Sequence, residues 1–251
     1  VLGGFGNYLV PLMLGTRDMA FPRLNAFSYW IYLFSGILLY GSFFTGSTPD
    51  TGWFAYAPLS GPQYSPGLNL DFWGLGLVFL GISTTVSGGN FIVTIFRLRA
   101  PGMSINRMPL FVWGILVTSF AVLFALPSLS LAALLLEFDR LGGTSFFDPT
   151  RGGSVLLWQH LFWVFGHPEV YIMFLPAVGI VSTIITTFSQ TRVVGYLILV
   201  LASVSIAFLS FGVWVHHMFA TGLPPVALNF FAAAGMVISI PSGLQFFAWI
   251  A

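Results

Sequence analysis

Long apolar runs dominate the chain, and polar residues gather between them. The runs cover about 24–45, 71–97, 109–137, 155–187, 194–220 and 226–251. A helix that spans a bilayer needs ~20 mostly apolar residues, and each run meets that length. Residues 1–14 read as the end of a further helix, terminated by Pro11 and the turn Gly15-Thr16-Arg17-Asp18. The Pro/Gly/Ser-rich stretch 46–70 and the stretch 138–154 read as loops. The runs are apolar on every side, whereas strands of a membrane barrel alternate over ~10 residues. The pattern predicts an all-α, polytopic transmembrane helix bundle with six complete spans and the end of another. Residues 1–251 read as a single transmembrane domain. Both ends fall inside apolar runs and there is no signal-peptide pattern. The expectation is an internal fragment of a larger membrane protein.

Composition strengthens this reading. Hydrophobic residues make up 57% and charged residues 6%, against ~25% charged in ordinary soluble domains. The net charge of +1 gives no sign of a nucleic-acid partner, and the absence of cysteine excludes disulfides and thiolate metal sites. All cationic side chains are arginine. Arg17, Arg23, Arg97, Arg99, Arg107 and Arg192 fall in loops on one side; Arg140 and Arg151 fall on the other. The excess places the first group in the cytoplasm, with a bacterial inner membrane as the expected location. Loop 46–70 then faces outward. The abundant Gly and Phe suit close helix approach and lipid contact.

The chemistry concentrates in two of the runs. His160 and His167 share one, and the adjacent pair His216 and His217 lies in the next. Ionisable groups at membrane depth usually face a cavity, a cofactor or each other. His167 and Tyr171 are four apart, so a helix stacks them on one face, and Pro168 loosens the turn between them. His216 and His217 splay ~100° apart on an ideal helix. They reach one ion only if the helix distorts or they use different ring nitrogens. Three neutral imidazoles suit Cu, Zn or Fe, with Cu favoured where the site cycles electrons. His160 lies ~10 Å along the helix from His167, too far to share an ion, and reads as structural. Glu169 reads as the one acid deep in a span, suited to a proton relay. Asp18 sits at a cytoplasmic turn where protons can enter. Asn7, Asn25, Ser28, Ser83, Thr84 and Asn90 recur in apolar context; they line a hydrated path or join helices by hydrogen bonds.

Several segments resemble haem-copper oxidase subunit I. They are Trp163-Val164-Phe165-Gly166-His167-Pro168-Glu169-Val170-Tyr171 and Trp214-Val215-His216-His217-Met218-Phe219. The match extends to Gly3-Gly4-Phe5-Gly6-Asn7, Asp18-Met19-Ala20-Phe21-Pro22-Arg23, Pro109-Leu110-Phe111-Val112-Trp113, Phe146-Phe147-Asp148-Pro149 and Ile240-Pro241-Ser242-Gly243. The resemblance implies that His167, His216 and His217 bind the copper CuB. It implies that Tyr171 is cross-linked to His167 and supplies an electron and a proton when the dioxygen bond breaks. Glu169 is implied as the inner proton donor of the D pathway and Asp18 as its entrance. Asn7, Asn25, Ser28, Ser83, Thr84 and Asn90 would line that pathway. Glu169 with Tyr171 is similar to the A-type branch.

The chain departs from the family at two places. The lysine of the second, K pathway is replaced by Gln245, while Ser242 of the same motif is kept. The loop Thr221-Gly222-Leu223-Pro224-Pro225 lacks the acidic pattern common in the family. The family needs three haem-iron ligands beyond the copper ligands, and the four histidines here do not supply them. The resemblance therefore implies two haems with ligands outside residues 1–251, and a fragment inactive on its own. The expected function of the whole protein is reduction of dioxygen to water coupled to proton translocation. Its expected partners are subunits II and III, membrane lipid, and cytochrome c or quinol as electron donor. A proton or metal transporter using the same histidines and a non-catalytic paralogue are the competing readings.

Overall fold

Helices carry the chain from end to end in the computed structural model, which describes residues 2–251. A π-helical turn, Leu2–Gly6, leads into α1 (Asn7–Leu14), α2 (Pro22–Phe44), α3 (Asn69–Arg97) and α4 (Leu110–Leu141). There follow α5 (Val155–Ser189), α6 (Tyr196–Ser210), α7 (Pro225–Val237) and α8 (Ser239–Ile250). Short 3₁₀ turns cover Ile105–Arg107, Pro149–Arg151 and Trp214–Met218. No strand occurs among the described residues. Helices α2, α3, α4, α5 and the α7–α8 pair are each long and apolar enough to cross a bilayer. Exposed aromatics such as Tyr29, Trp30, Phe34 and Phe44 cover the free face of α2, which suits lipid and not water. The molecule is an integral membrane protein.

Three boundaries differ from the sequence-based expectation. The run 194–220 is not one helix. Its helical part, α6, has 15 residues, ~22 Å at 1.5 Å per residue, which falls short of a ~30 Å hydrocarbon core. The chain then unwinds through Phe211, Gly212 and Val213 into the 3₁₀ turn Trp214–Met218. Pro11 does not terminate α1; it lies inside the helix, which stops at Gly15 with φ 71°. Glycine takes that left-handed conformation without steric cost, and its N–H bonds back to Leu12 in a helix-ending turn. Helix α4 continues to Leu141, past its expected end at 137, because long-range partners satisfy its polar last turn.

Helix α4 lies between α3 and α5, and α2 packs on α3. The backbones of α4 and α5 come close. A methyl group at Gly114 would lie 2.8 Å from the carbonyl oxygen of Leu175, and one at Gly179 would lie 2.6 Å from Cα of Phe111. Small residues permit this approach in membrane bundles. The core beside it combines Leu129, Ala133 and Leu136 of α4 with Trp73 of α3 and Trp158 and Phe162 of α5. Helix α6 rests on α8 and α4, and the 3₁₀ turn Trp214–Met218 lies against α5 and α7. This last contact brings the two histidine-bearing segments together.

Candidate metal centre

His167 projects from the middle of α5 and is 4% exposed. Across from it, the 3₁₀ turn delivers His216 and His217. The Nδ1 atom of His167 is 2.9 Å from Nε2 of His216 and 3.0 Å from Nε2 of His217. One ligand atom from each of the three rings lies within 4.8 Å of the others, an arrangement able to hold a metal ion. The chemistry of this donor set fits such an ion. A neutral imidazole nitrogen makes one directed hydrogen bond, yet Nδ1 of His167 faces two other ring nitrogens. Mutual hydrogen bonding cannot satisfy all three, and a shared cation can. All three donors are imidazoles, a set that suits Cu, Zn or Fe.

The distorted segment resolves the splay of two consecutive histidines. Both use Nε2, and their ring centroids are 4.5 Å apart. Two contacts hold the segment. His217 stacks on Trp163 at 4.0 Å and 3°, and the Trp163 indole N–H donates to the Tyr56 hydroxyl at 2.8 Å. Nδ1 of His160 accepts from the Trp214 indole N–H at 3.2 Å. His160 thus anchors the start of the 3₁₀ turn and is not in the trio.

Tyr171 lies one turn from His167, with ring centroids 4.9 Å apart. The other ring nitrogen of His167, Nε2, is buried and has no hydrogen-bond partner. Glu169 is half-buried, and one of its carboxylate oxygens accepts from the Trp53 indole N–H at 3.3 Å. Trp53 and Tyr56 come from stretch 46–70, read from sequence only as a loop. The signal available there was its aromatic content, Trp53-Phe54-Ala55-Tyr56, unusual for a surface connection.

The polar set gathers on the arginine-rich half of α2 and α3. Asp18 is exposed and caps the N–H of Met19 at 2.7 Å. Asn90 brackets Phe21, accepting from its N–H and donating to its carbonyl. Ser83 donates to the carbonyl of Ser28, which itself donates to that of Asn25. Thr84 bonds within its own helix to Leu80, and Asn7 donates to Gly3 while its side-chain oxygen is buried without a partner. Among the described residues, no direct hydrogen bond joins this set to Glu169. Ser242 bonds back to Ile238. Gln245 is buried and donates to the carbonyl of Leu199 and the hydroxyl of Ser203, both at 3.1 Å; it fastens α8 to α6. Glu169 is not alone as an acid within a span: Asp71 and Glu137 are 6% and 5% exposed. The sequence reading missed them because each lies at the edge of an apolar run.

The family model described as Cytochrome C and Quinol oxidase polypeptide I matches residues 1–251. Cytochrome c oxidase subunit 1 of Bacillus subtilis is 50% identical over 244 residues, 97% of this chain and 39% of that protein. The subunit 1 of Bacillus sp. PS3 is 49% identical over 98% of this chain and 40% of its own length. That of Alkalihalophilus pseudofirmus is 51% identical over 250 residues and 40% of its length. The chain spans about two-fifths of the length of these curated relatives.

Proposed function

From a chain that belongs to the cytochrome c and quinol oxidase polypeptide I family, we propose the central part of the catalytic subunit of a terminal respiratory oxidase. The full-length protein reduces dioxygen to water and couples this to proton translocation. The observation that carries the reading is the convergence of His167, His216 and His217 on one point inside a membrane bundle. Copper is the ion we assign to this trio, and haem is assigned to the rest of the full-length protein. When bound, copper held by His167, His216 and His217 would, together with haem, supply electrons for dioxygen reduction. Residues 1–251 act as one transmembrane domain in a bacterial plasma membrane, beside subunits II and III. The relatives are cytochrome c oxidase subunits, which favours cytochrome c as donor over quinol.

The protein's own residues prepare the site. Trp163 fixes the ring plane of His217, and the His160–Trp214 bond fixes the turn that carries both distal ligands. Tyr171 stands beside the ring of His167, whose Nε2 has no partner; this supports the cross-link implied by the resemblance and a role as local donor of an electron and a proton. Glu169 holds and passes a proton, with Trp53 orienting its carboxyl group. Asp18, Asn7, Asn25, Ser28, Ser83, Thr84 and Asn90 form the uptake path from the arginine-rich side, with water completing the stretch to Glu169. Gln245 fastens α8 to α6 and Ser242 bonds back to Ile238, and the lysine-dependent path is modified where Gln245 stands in place of its lysine.

The test is the full-length complex in membranes. The reading expects oxygen consumption together with haem absorption and copper. Metal binding with no haem and no oxygen consumption would instead make the histidines a transporter site.

A further inference from the structure

Away from the histidines, the arginine-poor end of the bundle buries a second titratable cluster. Arg140, in the last turn of α4, makes a two-pronged ion pair with Asp71 in the first turn of α3, at 3.0 and 2.9 Å. Its remaining N–H groups donate to the carbonyls of Ser60, Ser65 and Gly67 at 2.9, 2.8 and 2.6 Å. A guanidinium has five N–H donors, and all five are taken. Glu137 lies on the same helix, one turn before Arg140. Its side chain is buried, and neither carboxylate oxygen has a partner. The room it occupies exists because α3 carries Gly74; a Cβ there would collide with the Glu137 carboxyl. Gly74 follows Asp71 by three residues on α3, so the Glu137 carboxyl sits one turn from the Asp71 carboxylate that Arg140 holds. Asp139 is already occupied, accepting from Thr144 and from the N–H groups of Phe146 and Phe147.

This inventory leaves one satisfactory state. An ionised Glu137 would be a buried anion with no donor, set against a second carboxylate, and burying an unpaired charge costs far more than burying a neutral acid. A protonated Glu137 has an O–H to give, and Asp71 has free lone pairs to receive it. We propose that Glu137 holds a proton, and that Glu137, Asp71 and Arg140 form a proton-holding site on the arginine-poor side of the membrane. The site is close to water. Ser65, whose carbonyl Arg140 holds, donates through its hydroxyl to the exposed Asp50 at 3.4 Å. Glu137 is four residues from the end of α4, about 6 Å. Trp53, the donor to Glu169, packs edge-on against Trp73 in the same opening turns of α3 as Asp71. Loss of the Glu137 proton toward water on this side would be transient, because the ionised acid has no donor, and a proton arriving from within the bundle restores the neutral acid. The direction of transfer rests on the oxidase reading; the proton on Glu137 does not.

The experiment uses the full-length complex and infrared difference spectroscopy across a reduction–oxidation cycle, with proton release measured on the arginine-poor side of vesicles. The wild type should show a protonated-carboxyl C=O band that disappears in Glu137→Gln. Oxygen consumption should continue in that variant while protons released per electron fall. Glu137→Asp keeps an acid and should shift the band, which preserves the test if Glu137→Gln does not assemble. A spectrum in which neither variant alters a carboxyl band would overturn the proposal. Loss of the band with unchanged proton release would overturn the transport role. A wild-type complex that consumes no oxygen would sink the oxidase reading instead, and the band would still decide the protonation of Glu137.

Discussion

The histidine trio and the Arg140 cluster both bury polar groups in a membrane bundle, and they are built on opposite principles. At Arg140 the donors are fully used: two bonds to Asp71 and three to backbone carbonyls. At the trio, nitrogens face nitrogens and His167 Nε2 has no partner at all. A satisfied cluster holds structure; an unsatisfied convergence awaits a ligand. Buried polar groups left unpaired carry a free-energy cost, and folded proteins concentrate such costs where chemistry happens. Glu137 marks the place where the two principles meet, an unpartnered acid beside a satisfied ion pair.

The contrast can be broken from either side. Among changes that leave the histidine trio intact, the largest kinetic effect is expected from Glu169→Gln. Removing a proton-transfer group typically slows the step ~10²–10⁴-fold, so steady-state oxygen consumption should fall by that order while haem absorption persists. Near-normal turnover would remove Glu169 from the relay. The largest structural effect is expected from Arg140→Ala. It leaves Asp71 as an uncompensated buried charge and frees three carbonyls of the 46–70 stretch, a change worth ~3–5 kcal/mol. Thermal inactivation of the complex should move down steeply; a shift no larger than that of a surface substitution would deny the cluster its structural role. The smallest effect belongs to Gln245→Leu. It removes two neutral hydrogen bonds between α8 and α6, at ~0.5–1.5 kcal/mol each. Slower haem reduction in this variant would show that Gln245 takes part in proton delivery and is not only a fastener.

The legible parts of the molecule were local. His167 and Tyr171 share a helix face by their spacing alone, and His160 separates from His167 by length along the same helix. The membrane architecture was readable because lipid demands long apolar runs. What escaped the sequence depends on distant partners. The unwinding of 194–220 into a 3₁₀ turn is held by Trp214 on His160 and His217 on Trp163, 54 residues apart in the sequence in both cases. The last turn of α4 persists because Arg140 finds Asp71 and three carbonyls 69 to 80 residues away. Stretch 46–70 carries the Pro and Gly of a surface loop, yet Trp53 and Tyr56 reach the site residues Glu169 and Trp163. The identity of Gln245 was plain in the sequence; its bonds to Leu199 and Ser203 were not.

The central claim is that three imidazoles hold copper. Copper content per haem should be measured in the full-length complex for wild type and for His216→Asn, purified in parallel. The account predicts that the variant retains its haem, loses the copper held by the trio and no longer consumes oxygen. Equal copper content in the two preparations, with oxygen consumption preserved, would contradict it.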